Sequence, residues 1–304
     1  MSPEELKQAL PRGLLSFPLT DFDAGGSFDS RASARRLEWL LRYPAAACFS
    51  AGGAGEFFSL TADEYANVLR VAVQTCGKRL PVLGAAGYGT RTAIAYAEKT
   101  EKIGANGILL LPPYLVEAPQ EGLRAHIAAV CHSTRLGVIV YNRGNCRLQA
   151  QTLALLAEEC KNLIAFKDGI GDAEQIEAIG RLLGDRMLML NGMPTAETYA
   201  RDFRALGMAT YSSAIFNFAP RTAIEFHKAV HESDDATVAR LMQDFVEPYI
   251  AIRKKQPGYA VSIVKAGAAI VGRGAGPVRA PLTDLTETER SELAALIGRL
   301  GPQE

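Results

Sequence analysis

The chain has no excess of either charge: Lys+Arg and Asp+Glu both number 33 among its 304 residues, so the formal net charge is zero. Runs of like charge are also lacking, which argues against a nucleic-acid-binding face or a polybasic membrane surface. No apolar run approaches the roughly 18 residues of a membrane span. Met1-Ser2-Pro3-Glu4-Glu5-Leu6 has no basic segment followed by an apolar one, as a secretion signal would require. These absences lead to the expectation of a soluble, cytoplasmic protein with neither a membrane nor a nucleic-acid partner. Cysteines are sparse: Cys48, Cys76, Cys131, Cys146 and Cys160 show no C-x-x-C spacing, and their odd number fits reduced thiols better than a disulfide framework or a structural zinc site.

Several familiar motifs are absent or malformed. Gly84-Ala85-Ala86-Gly87-Tyr88-Gly89 has the wrong glycine order for a dinucleotide fingerprint and reads as a strand-to-helix turn. Asp21, Asp23, Gly25 and Asp29 only loosely resemble a calcium loop, because Ala32 stands where the bidentate glutamate belongs; a hairpin or turn is expected. His227 and His231 share a helix face without a recognisable third ligand. No Ser-His-Asp or Cys-His arrangement stands out.

What the chain does have is ordinary globular composition, 48% hydrophobic and 22% charged, with length for one large domain or two small ones. Short apolar runs fall at residues 13–18, 45–50, 81–87, 107–113, 137–142, 163–169, 187–192 and 209–214. Between them lie amphipathic segments of helical period. Residues 31–42 carry Leu37, Leu40 and Leu41 on one face, and residues 62–76 carry Tyr65, Val68, Leu69 and Ala72. Thr61 followed by Glu64 forms a capping signal, and Thr90 opens another helix. Strands as continuously apolar as Ile108-Leu109-Leu110-Leu111 suit a parallel sheet covered on both faces. Eight βα repeats predict an α/β protein, a (β/α)8 TIM barrel with additional C-terminal helices; a doubly wound open sheet is the alternative. The barrel is expected over residues 1–218. A helical extension is expected over residues 219–304, packed on the barrel, with main helices at 235–255 and 258–271 and a last one starting near Glu287.

Barrel enzymes place their chemistry at the C-terminal ends of the strands. The polar residues there are the turn Gly52-Gly53-Ala54-Gly55-Glu56, then Tyr141-Asn142-Arg143, Lys167-Asp168-Gly169, Asn191-Gly192 and Ser212-Ser213. Lys167 ends the run Leu163-Ile164-Ala165-Phe166. An amine held out of water there loses its proton near neutral pH and attacks a carbonyl. The same pattern fits a lysine that projects into solvent or pairs with Asp168. The glycine turn offers backbone N–H groups to a carboxylate or phosphate, or is simply tight. Tyr141 on the neighbouring strand can act as a proton shuttle, or its hydroxyl meets water. Arg143 can clamp a substrate carboxylate, or is a solvated loop arginine.

Taken together, Gly52-Gly53-Ala54-Gly55-Glu56-Phe57-Phe58-Ser59-Leu60, Val140-Tyr141-Asn142-Arg143 and Phe166-Lys167-Asp168-Gly169 resemble the dihydrodipicolinate synthase and N-acetylneuraminate lyase superfamily of Schiff-base barrels. Within it, the closer likeness is to the 5-dehydro-4-deoxyglucarate dehydratases. Supporting matches include Gly13-Leu14-Leu15-Ser16-Phe17-Pro18, Met193-Pro194-Thr195-Ala196-Glu197, Tyr211-Ser212-Ser213-Ala214 and Ala275-Gly276-Pro277-Val278-Arg279, so the likeness runs the whole length. The resemblance implies a homotetramer acting on a small-molecule keto acid, with no metal or organic cofactor. It implies conversion of 5-dehydro-4-deoxyglucarate to 2,5-dioxopentanoate, carbon dioxide and water, within hexarate catabolism. Lys167 and Tyr141 are then the catalytic pair, and Gly53 and Ala54 hold the keto-acid carboxylate. Arg143, Asn145, Gly192, Ser212 and Ser213 complete the implied substrate contacts.

Two positions depart from these patterns. Ala54 stands where the dehydratases usually have threonine, which removes a hydroxyl relay to Tyr141 through that position. Leu115 stands where dihydrodipicolinate synthases place a second tyrosine, which argues against lysine biosynthesis. Two other readings share the pattern. One is a 2-keto-3-deoxy sugar acid aldolase, which would release pyruvate. The other is a non-catalytic keto-acid-binding barrel, to which Ala54 is the only pointer.

Overall fold

In the computed structural model, which describes residues 1–114 and 117–303, eight strands close into a barrel in chain order. They are β1 (Leu15–Ser16), β2 (Ala47–Phe49), β3 (Val82–Ala86), β4 (Gly107–Leu110), β5 (Gly137–Asn142), β6 (Leu163–Asp168), β7 (Leu188–Asn191) and β8 (Thr210–Ser213). β1 runs parallel to β2, and β3 through β8 are parallel neighbours. Closure excludes the open sheet. Every residue of β3, β4, β5 and β6 is buried, the burial that their unbroken apolar runs require of strands covered on both faces. Among the described residues, no helix is long and apolar enough to cross a membrane.

Packing divides the chain into two compact units. The first is Met1–Arg12 with Pro81–Ser212. Each of its strands β3 to β6 is followed by a helix: Thr90–Ile103, Gln120–His132, Ala150–Glu159 and Ala173–Leu183. The short helix Pro3–Ala9 begins with a reciprocal cap between Ser2 and Glu5 and buries Leu6 completely. Leu6 lies against the entrances of β4 and β5. A Cβ added to Gly107 would collide with its Cδ2, and one added to Gly137 would approach that atom to 3.3 Å. Close approach of a side chain to backbone is the reason for glycine at these strand starts.

The second unit is Gly13–Leu80 with Ser213–Glu304. It contains the helices Ser30–Leu40 and Ala62–Cys76, together with Pro220–Glu232, Asp235–Leu241, Glu247–Arg253, Tyr259–Ile270 and Glu287–Gly298. Thr61 with Glu64 and Thr286 with Glu289 form the reciprocal caps of their helices. The helix expected over 235–255 is interrupted by a π turn at Met242–Val246. Pro248 follows that turn; it has no N–H to give to the carbonyl four residues back, and its ring crowds that carbonyl, so the local helix widens. The loop with calcium-like spacing is a hairpin: Phe22 bridges Phe28, and Asp21 is spent on a buried pair with Arg36 at 2.8 Å. All five cysteines are buried and free.

Leu6→Ala should lower the unfolding free energy by about 2–5 kcal/mol, the usual cost of such a truncation in a core. Urea denaturation followed by circular dichroism measures it. A change near zero would show that Leu6 does not wedge the strand starts.

Candidate active site

The site residues of the first unit are set by strand register. Tyr141 on β5 pairs with Lys167 on β6, and Asn142 pairs with Asp168; one strand further, Lys167 pairs with Leu190 and Asp168 with Asn191. Parallel strands put laterally paired residues on one face, so Tyr141 and Lys167 emerge side by side. Lys167 Nζ lies 4.7 Å from the Tyr141 ring centroid. The lysine is 3% exposed and the tyrosine 8%, which removes the reading of Lys167 as a solvated strand-end amine.

Glycines make the space for this pair. A Cβ on Gly192 would meet Lys167 Cγ at 2.7 Å, Lys167 Cε at 2.8 Å and Tyr141 Cε2 at 2.8 Å. The Gly192 carbonyl accepts the Tyr141 hydroxyl proton at 2.7 Å, and that hydroxyl oxygen accepts from Arg143 Nη1 at 2.9 Å. Tyr141 therefore donates to one fixed group and accepts from another, instead of meeting water.

Burial pushes the Lys167 ammonium down to about 7, with the Arg143 cation adding to the effect. Desolvation disfavours the charged form of an amine, and a second cation disfavours it further. Tyr141 is raised, chiefly by burial, against an opposing pull from Arg143. Asp168 is also raised by burial. Its oxygens are occupied locally: Asn142 Nδ2 donates to Oδ1 at 2.7 Å, and the Gly171 and Ile170 amides donate to Oδ2 at 2.7 and 3.2 Å. Asn142 in turn accepts from Leu148 N at 2.9 Å, and Asn191 holds its loop through Ala196 O and Met193 N. These three polar residues organise the strand ends around Lys167.

The second unit holds the glycine turn. Ala51 and Glu56, which flank it, adopt left-handed backbone at φ 51° and 55°, a conformation with a steric cost for a residue bearing Cβ. The turn is closed by Glu56 N donating to Gly53 O and Phe57 N donating to Gly52 O, each at 3.2 Å, and Thr20 Oγ1 donates to Gly55 O at 2.6 Å. Glu56 is fully buried and pairs with Lys265 Nζ at 2.7 Å; its other oxygen accepts from Arg279 N at 3.1 Å. Gly53 is exposed and Ala54 half-buried. The charged anchor behind the turn could not be read from the sequence, because Glu56 and Lys265 are more than two hundred positions apart.

The two buried lysines differ in kind. Lys265 faces a carboxylate that offsets part of its desolvation. Lys167 is shifted by burial and by another cation, the environment of a neutral amine. Of the other expected contacts, Arg143 and Gly192 meet the pair directly. Asn145 is exposed in the turn after Arg143, Ser212 is half-buried, and Ser213 is buried in the second unit with Oγ accepting from Phe216 N at 3.3 Å. Leu115 lies outside the described residues. Among the described residues, no cluster of three or more His, Cys, Asp or Glu could hold a metal ion.

Lys167→Met tests the cost of burying the amine. The unfolded lysine keeps its proton up to about pH 10.4, whereas the folded one releases it near 7. Between those values the unfolded chain binds more protons, so stability rises with pH; below 7 the burial cost is fully present. Urea unfolding at pH 6 should show the variant more stable by on the order of 3–5 kcal/mol, with the gap narrowing towards pH 10. A gap independent of pH would contradict desolvation of the amine.

A chain from Paracidovorax citrulli, named "Probable 5-dehydro-4-deoxyglucarate dehydratase", is 58% identical over 303 residues, which is 100% of both chains. A chain of the same name from Leptothrix cholodnii is 57% identical over the same length. Among solved structures, dihydrodipicolinate synthase from Oceanobacillus iheyensis superposes with a TM-score of 0.90, covering 98% of this chain and 99% of that one. At 22% identity that likeness establishes the barrel alone. The sequence profile of the dihydrodipicolinate synthetase family matches residues 10–300, so this chain belongs to that family.

Proposed function

We propose that this protein is a Schiff-base hydro-lyase that dehydrates and decarboxylates 5-dehydro-4-deoxyglucarate to 2,5-dioxopentanoate. The observation that carries the reading is Lys167, a buried amine lowered to about 7 and packed over the ring of Tyr141. The full-length likeness to chains named for this reaction supports the substrate.

In this reading the neutral Nζ of Lys167 adds to the ketone carbon and water leaves, giving an iminium. The iminium acidifies the adjacent methylene. Loss of one proton there and of the β-hydroxyl, together one water, produces a conjugated iminium. Breaking the bond to the distal carboxylate releases carbon dioxide and sends the electron pair through the conjugated system to nitrogen. Proton return gives an enol that becomes the aldehyde, and hydrolysis restores the lysine. Tyr141 is the proton shuttle for imine formation and hydrolysis. Backbone N–H groups of Gly53 and Ala54 hold the keto-acid carboxylate, while Arg143 and Gly192, with Ser212, Ser213 and Asn145 as further contacts, receive the rest of the substrate. A homotetramer acting in the cytoplasm is part of the same proposal, and sedimentation measures the assembly.

Borohydride reduction in the presence of 5-dehydro-4-deoxyglucarate, followed by peptide mass mapping, should leave an adduct on Lys167 and none in Lys167→Ala. An adduct on Lys265 or Lys161 would overturn the assignment of the nucleophile. Pyruvate among the products would overturn the dehydratase reading in favour of an aldolase.

A further inference from the structure

The loop after β5 places Arg143 with more constraint than a substrate clamp needs. Its backbone forms a bridge with Cys146, whose N–H donates to the Arg143 carbonyl at 3.1 Å, and Gly144 makes the turn with φ 58°. Leu148 N, held by Asn142 Oδ1, fixes the far side of the same loop to the strand end. From this anchored position Nη1 donates to the Tyr141 hydroxyl at 2.9 Å, and the guanidinium carbon lies 5.9 Å from the ring centroid. On the same ring Lys167 Nζ lies at 4.7 Å. Arginine keeps its charge at any working pH and has donors beyond Nη1.

We propose that Arg143 is a positioning residue for the Lys167–Tyr141 pair: it holds the phenol on the Gly192 carbonyl and sets a permanent positive charge beside the buried amine. This rests on the reading of Lys167 as the nucleophile. Among the described residues of this unit, Arg143 acts on both members of the pair and Asp168 on Tyr141, with Asp172 acting on Asp168. Asp168 is tied to Asn142 and two backbone amides, while the guanidinium and the amine lie over the same Tyr141 ring. Two consequences follow. The phenol proton is directed at a carbonyl rather than at solvent, ready to turn to an incoming oxygen. The resting enzyme also keeps about half of Lys167 in the nucleophilic form at pH 7, before any substrate carboxylate arrives.

The test separates this role from a simple contact with the substrate. Pyruvate carries the keto-acid group but no distal carboxylate, so its trapping on Lys167 by cyanoborohydride cannot report a distal clamp. The initial trapping rate, read by mass spectrometry across pH 5.5–9.5, should rise through about 7 in the parent enzyme. In Arg143→Gln and Arg143→Met the same limb should move up by about one pH unit, which lowers trapping at pH 7 about fivefold while the alkaline plateau is kept. Arg143→Lys, which retains the charge, should restore the parent limb. Arg143 is exposed, so these variants should fold, and circular dichroism checks that they do. An unmoved limb in both neutral variants, with only KM for the full substrate raised, would overturn the proposal and leave Arg143 as a carboxylate contact. Absence of any Lys167 adduct in the parent at every pH would instead remove the nucleophile itself, and the proposal with it.

Discussion

One amine held out of water, with a guanidinium acting on it, governs the arrangement of this site. Burying an ammonium is so costly that the group tends to release its proton, and the fold supplies that burial through a strand with no exposed residue. Everything around Lys167 preserves the condition. Gly192 lets the lysine methylenes and the Tyr141 ring close on each other. Asn142 and two backbone amides occupy the carboxylate of Asp168, the next residue in the chain. Arg143 adds a charge of the sign that the amine avoids.

The second unit uses the opposite solution. Its buried lysine, Lys265, faces a buried carboxylate, Glu56, and also donates to Pro277 O at 2.7 Å. Breaking such a pair from one side strands a charge, so it fixes geometry more than it adds net stability. What it fixes is the strained end of the glycine turn, where Glu56 takes a left-handed backbone. Arg279 joins the same region, donating to Glu64, Ser59 O and Gly26 O. Lys167 and Lys265 are of one residue type with comparable burial, and the charge that acts on each differs in sign: the Arg143 cation on Lys167, the Glu56 carboxylate on Lys265.

The architecture was legible because its signals are local. Continuous apolar runs, helical periodicity and the Thr61–Glu64 cap predict the barrel, and the helix expected at 62–76 is the helix Ala62–Cys76. Strand ends were less legible: β1 pairs over two residues of the six expected, since ladder length depends on neighbours. The break at Met242–Val246 could have been anticipated from Pro248. At the site, a terminal lysine on an apolar strand was visible, but its register opposite Tyr141 was not, and neither was the need for glycine at 192. The contact of Arg143 with Tyr141 was within reach, because residues two apart at a strand end share a face. Its consequence for a lysine on the neighbouring strand depends on three-dimensional placement alone.

Burial, with the Arg143 cation adding to it, lowers the Lys167 ammonium to about 7. Direct titration of its side chain by NMR, with labelled lysine and assignment through the Lys167→Met variant, tests this in the resting enzyme. The account predicts a midpoint at about 7. A midpoint near the ordinary lysine value of about 10.4 would contradict it.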